Sequence, residues 1–204
     1  MDFLFLGFFT GLSLILAIGA QNIFVIEQGL KKQYVFLVCI ICSLSDLILI
    51  FCGILLFHFF HQYFNLFIEL TLNILLIIFL IHFIYSKIKS IKKNISFNSE
   101  VKNTSKIDIS LKTLGFTYLN AHVYSDTVFF LGNFSKNFLL GEKIFFGIGA
   151  SIASFIFFFL LGYLSTFFSK YAQNDKIWKS INLFIICFMS LLTIYIIRET
   201  INFL

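Results

Sequence analysis

The chain has 204 residues, 59% of them hydrophobic and only 12% charged, with 31 Phe, no Pro and a formal net charge of +5. A soluble domain covers its core with about 25% charged residues, so this composition and a mean hydropathy of +0.96 exclude a soluble enzyme, a disordered chain and a disulfide-stapled secreted domain. What remains is a polytopic membrane protein, and its continuous, non-alternating apolar runs speak for helices and against a β-barrel.

A hydrocarbon core takes roughly 20 helical residues per crossing. Six segments meet that length: 3–26, 34–57, 64–85, 114–134, 144–168 and 181–201. The expected fold class is therefore all-α integral membrane, with six transmembrane helices in one domain over 1–204. Helices 1–3 occupy 3–85, a hydrophilic loop 86–113, and helices 4–6 occupy 114–201.

The first segment opens Met1-Asp2 without Lys or Arg and is too long for the apolar region of a cleavable signal, so it is expected to stay in the mature protein. Gly7 and Gly11 form a G-x-x-x-G, which means close helix packing. Thr10, Ser13, Ala17 and Gln21 make a small polar stripe, and Gly19-Ala20-Gln21-Asn22 interrupts the span. With no Pro available, a helix break here has to be made by Gly and amide side chains.

The second segment carries Cys39, Cys42, Ser43, Asp46 and Gly53 on one side. Cys39 and Cys42 form a C-x-x-C, but inside an apolar helix with no second pair they read as small packing residues. His58 and His61 share a face at the end of this helix, and with Glu69 they are a weak metal signal, so no metal site or cofactor is assigned. The loop 86–113 is rich in Lys, Asn and Ser and reads as a linker that anionic lipid headgroups would attract. Nucleic-acid binding is not expected from positive charge held next to a membrane.

The fourth segment opens with Tyr118-Leu119-Asn120-Ala121-His122 and holds Asp126 one turn further on. The fifth adds a stripe of Gly147, Ser151, Ser154 and Gly162. Tyr34, Tyr63, Tyr85, Tyr163, Tyr171 and Trp178 fall near span ends, as an aromatic belt requires.

The loops after helices 1, 3 and 5 hold 12 of the 15 Lys and Arg residues, beginning with Lys31 and Lys32. By the positive-inside rule both termini lie outside and the 86–113 loop is cytoplasmic. Against this, Asp46 and Asp126 stand near mid-membrane with no Lys or Arg at that depth. A charge there costs about 3 kcal/mol or more. Two such acids imply a site for a cation, a proton or both. Setting Ala20 on Ala121 aligns Gly19-Ala20-Gln21 with Asn120-Ala121-His122, each in the first helix of a three-helix half. Halves with an odd number of helices are inverted in the membrane, so two three-helix inverted repeats are expected.

Gly19-Ala-Gln-Asn-Ile-Phe-Val-Ile-Glu-Gln-Gly29, Leu44-Ser-Asp46 and Leu119-Asn-Ala-His-Val-Tyr-Ser-Asp-Thr127 with Leu131-Gly132 resemble the basic amino acid exporters of the LysE/ArgO type, in order along the whole chain. The resemblance implies a bacterial inner-membrane permease that exports L-lysine and L-arginine, with no enzymatic activity and no cofactor. Relatives usually carry Pro where this chain has Ala20 and Ala121, so its helix breaks are either formed another way or softer. Asp46 and Asp126 match the family's two intramembrane acids. Asp46, Asp126, Gln21, Asn22, Asn120 and His122 are the expected substrate-binding or proton-coupling residues, and Gly19, Ala20 and Ala121 the helix-break residues. The partners are a basic amino acid, protons and membrane lipid, and homo-oligomerisation is left open. A divalent metal exporter of the same superfamily is the alternative, because two Asp with Asn22 and Asn120 offer hard oxygen ligands.

Overall fold

The computed structural model describes residues 2–16, 19–63, 66–92, 105–172 and 174–202. Within helices some side chains lie outside the description, among them those of His58, His61, Glu69, Ala121 and His122; residues 93–104 of the 86–113 linker, Ala17 and Phe64 lie outside the described residues altogether.

Every regular element among the described residues is helical. In chain order they are α1 (Asp2–Ile15), α2 (Ala20–Lys31), α3 (Val35–Tyr63), α4 (Leu66–Lys92) and α5 (Lys106–Tyr118). Then come α6 (121–134), α7 (Leu140–Phe167), α8 (Ser169–Ala172) and α9 (Asp175–Asn202). Within α6 the stretch Ser125–Phe130 is π-helical, flanked by Ala121–Tyr124 and Leu131–Phe134. Three stretches are long and apolar enough to cross a membrane singly: Val35–Phe57, Leu140–Phe167 and Lys176–Arg198. Asp2–Ile15 and Ala20–Lys31 together make a further one, bent by 83°.

The first expected span is thus two helices, and the second of them runs past the expected end to Lys31. The fourth expected span begins earlier, at Lys106, and is broken at Leu119-Asn120. The reason for the early start is amphipathicity. Ser105 Oγ caps α5 by accepting from the Asp108 amide at 3.1 Å. Lys112 and Asp108 then pair along its exposed side at 2.8 Å, while Ile109, Thr113 and Phe116 are buried on the other. Hydropathy alone sees the charges and clips the helix.

Glycines set how closely the helices approach. A Cβ on Gly7 would fall on the backbone of Phe146, and one on Gly149 on the backbone of Leu4 and Phe8, so α1 and α7 cross with their backbones in contact. A Cβ on Gly53 would come within 2.6 Å of Val128 Cα and 2.8 Å of the Thr127 carbonyl, which locks α3 against the π-turn of α6. α4 packs along α9. α3 and α7 turn Leu44, Ile48 and Leu55, and Ile148, Ile152 and Ile156, outward as an apolar exterior.

In the middle lies α2, buried along nearly its whole length and packed by α3, α5, α7, α8 and α9. Phe24 anchors it against Phe116 (ring centroids 4.9 Å apart) and Phe83 (6.4 Å). It ends in a turn where Lys32 (φ 53°) and Tyr34 (φ 50°) are both left-handed. Such conformations cost non-glycine residues about 1–3 kcal/mol each.

Candidate functional site

The buried side of α3 carries Cys39, Cys42, Ser43 and Asp46, because residues three and four apart share a face. Asp46 is 3% exposed. Ser154 on α7 donates its hydroxyl to Asp46 Oδ2 at 2.8 Å. Ser151, one turn away on the same stripe, instead bonds back to the Gly147 carbonyl, so Ser154 is the member of that stripe that reaches across. Among the described residues no basic side chain reaches Asp46.

Asp126 lies on the π-turn of α6, half-buried, near enough for its charge to act on that of Asp46. A π-turn packs an extra residue into one turn and recurs at functional positions. Gly53 seats this turn on α3, and the same contact carries Asp126 into electrostatic reach of Asp46. Cys42 stands beside Gln21 at the start of α2 and Thr117 near the end of α5. The structure therefore brings both acids, Gln21 and the two helix breaks into one region of the interior. Gln21 Nε2 and Ser43 Oγ are buried there, and neither makes a hydrogen bond of ordinary geometry to a described residue.

The two breaks are built differently. At the first, Gly19 is extended and caps α2 without a side-chain bond, which leaves the leading amides of α2 without intrahelical acceptors. Asn22 turns back and donates Nδ2 to the Ile15 carbonyl at 3.2 Å, satisfying the last turn of α1. Replacing Asn22 with Ala orphans that carbonyl, and a lost bond of this kind costs about 1 kcal/mol. The expected result is a lower thermal midpoint for the purified protein, read by scanning fluorimetry; an unchanged midpoint would show the bond to be incidental. At the second break Leu119 closes α5 by bonding Gly115, and Val123 bonds the Asn120 carbonyl at 3.1 Å. The Tyr124 hydroxyl spans the gap to the Tyr118 carbonyl at 3.1 Å. Asn120 is buried at this point, and His122 lies in the first turn of α6 with its side chain outside the description.

One buried polar group was not expected. The sequence places Lys31 in a loop, yet it forms the last turn of α2 and is 7% exposed. Its Nζ bonds Glu27 Oε1 at 2.6 Å and lies 5.5 Å over the ring of Trp178. Trp178 is itself 2% exposed, not a member of an outer belt, whereas Tyr34, Tyr85, Tyr163 and Tyr171 are exposed as expected. The spacing Glu27-x-x-x-Lys31 was the available signal, since i and i+4 meet on a helix. The cysteines are free thiols, and Cys39 donates to the Phe158 carbonyl at 3.2 Å as a packing contact. No group of three or more His, Cys, Asp and Glu that could hold a metal comes together among the described residues.

A sequence model described as LysE type translocator matches residues 12–200. The chain is 32% identical over 180 residues to the arginine exporter protein ArgO of Pectobacterium carotovorum subsp. carotovorum (strain PC1), covering 88% of each chain. It is 31% identical over 200 residues to the arginine exporter protein ArgO of Salmonella typhimurium (strain LT2), covering 98% of this chain and 95% of the relative. No solved structure matches.

Proposed function

Since the chain belongs to the LysE type translocator family, a family of membrane transporters and not enzymes, we propose that it exports basic amino acids, L-arginine and L-lysine, across the bacterial inner membrane in exchange for protons. The observation that carries this reading is Asp46: a carboxylate sealed in the interior, held by Ser154, within reach of the charge of Asp126 and of no basic side chain among the described residues. Two acids in such surroundings need a cation.

Arginine and lysine bring two cationic groups and one carboxylate. Asp46 and Asp126 take the side-chain cation and the α-ammonium. The leading amides of α2, with Gln21 and with Asn120 at the second break, take the α-carboxylate, as helix N-termini do for anions. Asn22, beside Gln21, supports this arrangement by holding the break. Moving one charge outward against a negative interior costs about 2.3 kcal/mol per 100 mV, and an inward proton cancels it. An aspartate that is ionised with cargo and protonated without it performs that exchange, with His122 one turn from Asp126 as a relay.

We read the architecture as six transmembrane helices in two inverted halves: α1–α2, α3 and α4, then α5–α6, α7 and α9. Exchanging the halves maps much of the packing onto itself. α2 against α7 answers α6 against α3, α1 against α7 answers α5 against α3, and the α3–α7 and α4–α9 contacts map onto themselves. The lysine count puts both termini outside and the 86–113 linker in the cytoplasm.

The test is counterflow of radiolabelled arginine and lysine in proteoliposomes, with and without a pH gradient. Saturable exchange that an opposing proton gradient accelerates is the expected result. Exchange of neither amino acid overturns the reading, and protection of expressing cells against manganese in its place would favour a divalent cation as cargo.

A further inference from the structure

Glu27 lies six residues beyond Gln21 on the same buried helix, about 9 Å of helix rise away. Around it the chain assembles a cage that the transport site does not use. Glu27 and Trp178 are each 2% exposed and Lys31 7%. The ammonium of Lys31 sits on the Glu27 carboxylate at 2.6 Å and over the indole at 5.5 Å. A buried ion pair adds little stability over apolar side chains of the same volume, so packing alone does not account for this one. A carboxylate and an aromatic face around a positive group are how proteins recognise alkylammonium and guanidinium ions. The group held here is the chain's own lysine side chain, chemically that of a lysine cargo.

We propose that Glu27 and Trp178 form a second cation subsite at the C-terminal end of α2, closed in this structure by Lys31, which takes the ammonium or guanidinium of a basic amino acid by displacing Lys31. The inference rests on the reading of the cargo as a basic amino acid. The turn that follows, with Lys32 and Tyr34 both left-handed, is the strained piece of chain that yields when Lys31 leaves. Transport then has two stations on neighbouring helices, one at Glu27 near the end of α2 and one at Asp46 on α3.

Trp178 is the only tryptophan in the chain, so its emission reports on this cage directly. Purified full-length protein is titrated with L-arginine, L-lysine and L-leucine, beside counterflow on the same preparations. Arginine and lysine are expected to give a saturable change in Trp178 emission, and leucine none. Lys31→Met removes the internal competitor and shifts the curve several-fold to lower concentration. The double variant Glu27→Gln with Lys31→Met, which leaves no charge in the cage and so guards against a folding defect in the single one, shifts it about tenfold higher or abolishes it. Asp46→Asn leaves the Trp178 titration in place while losing counterflow. The subsite is overturned by a wild type that exchanges arginine with no Trp178 response, by a double variant or a Lys31→Met protein that titrates as wild type, or by an Asp46→Asn protein that has lost the response. A wild type with neither response nor counterflow removes the underlying transport reading, and the subsite with it.

Discussion

Asp46→Asn and Asp126→Asn each abolish export of arginine and lysine, by about a hundredfold or more, while the protein still inserts in normal amount. The size follows from what is removed. Asn keeps the shape of Asp but loses its charge, and a charge-assisted bond to a cargo cation is worth about 1.5–3 kcal/mol before any role in proton exchange is counted. Insertion is spared because exchanging a buried carboxylate for a neutral amide relieves a desolvation cost and adds none. At position 46 the Ser154 hydroxyl can still donate, to the amide oxygen. The measurement is efflux from cells preloaded with radiolabelled arginine or lysine, with the variant quantified in the membrane fraction. Wild-type efflux from either variant would remove that residue from the transport site.

Gly53→Ala is the second large effect, and it acts through the backbone. A single methyl group there would sit 2.6 Å from Val128 Cα and carbonyl oxygen and 2.8 Å from the Thr127 carbonyl. None of these is a side chain that can turn away, so α3 and the π-turn of α6 must separate. Overpacking of this kind costs about 1–3 kcal/mol, occasionally more. It also moves Asp126 away from Asp46, which lies two turns along α3. The expected outcome is loss of most export together with a thermal midpoint several degrees lower. Gly141→Ala is the control: its Cβ would meet nothing within 4 Å, and both readouts should stay at wild type. Normal export by the Gly53→Ala protein would show that the α3–α6 contact does not position the acids.

These two predictions rest on different kinds of legibility. Asp46 and Asp126 stand out in the sequence because an acid in a run of apolar residues violates the chemistry of the surrounding solvent, and that violation needs no fold to be seen. Gly53 does not stand out. It is one small residue in a helix of many, and only the π-turn across from it makes it indispensable. Ser154 belonged to a visible stripe with Ser151, Gly147 and Gly162, but which serine turns outward from its own helix depended on where Asp46 came to rest. Asn22 was visible as an amide out of place, and its use as the cap of α1 follows from the 83° bend. The Glu27–Lys31 pair was hidden by a rule that assigns lysines near span ends to loops.

Composition and the spacing of polar residues were enough to establish a helical membrane protein, the two acids that a hydrocarbon interior would not tolerate without purpose, and the two places where amides and glycine interrupt a span. Those features are local, and the bilayer as solvent imposes them on any chain of this kind. The tertiary structure decided the rest: that α2 runs through the centre of the molecule, that a π-turn sets Asp126 toward Asp46, and that Lys31 and Trp178 close over Glu27. Such pairings join residues up to 147 positions apart, as Lys31 and Trp178 are, and which of many apolar faces meet is settled by backbone approach and side-chain volume, neither of which has a period along the chain.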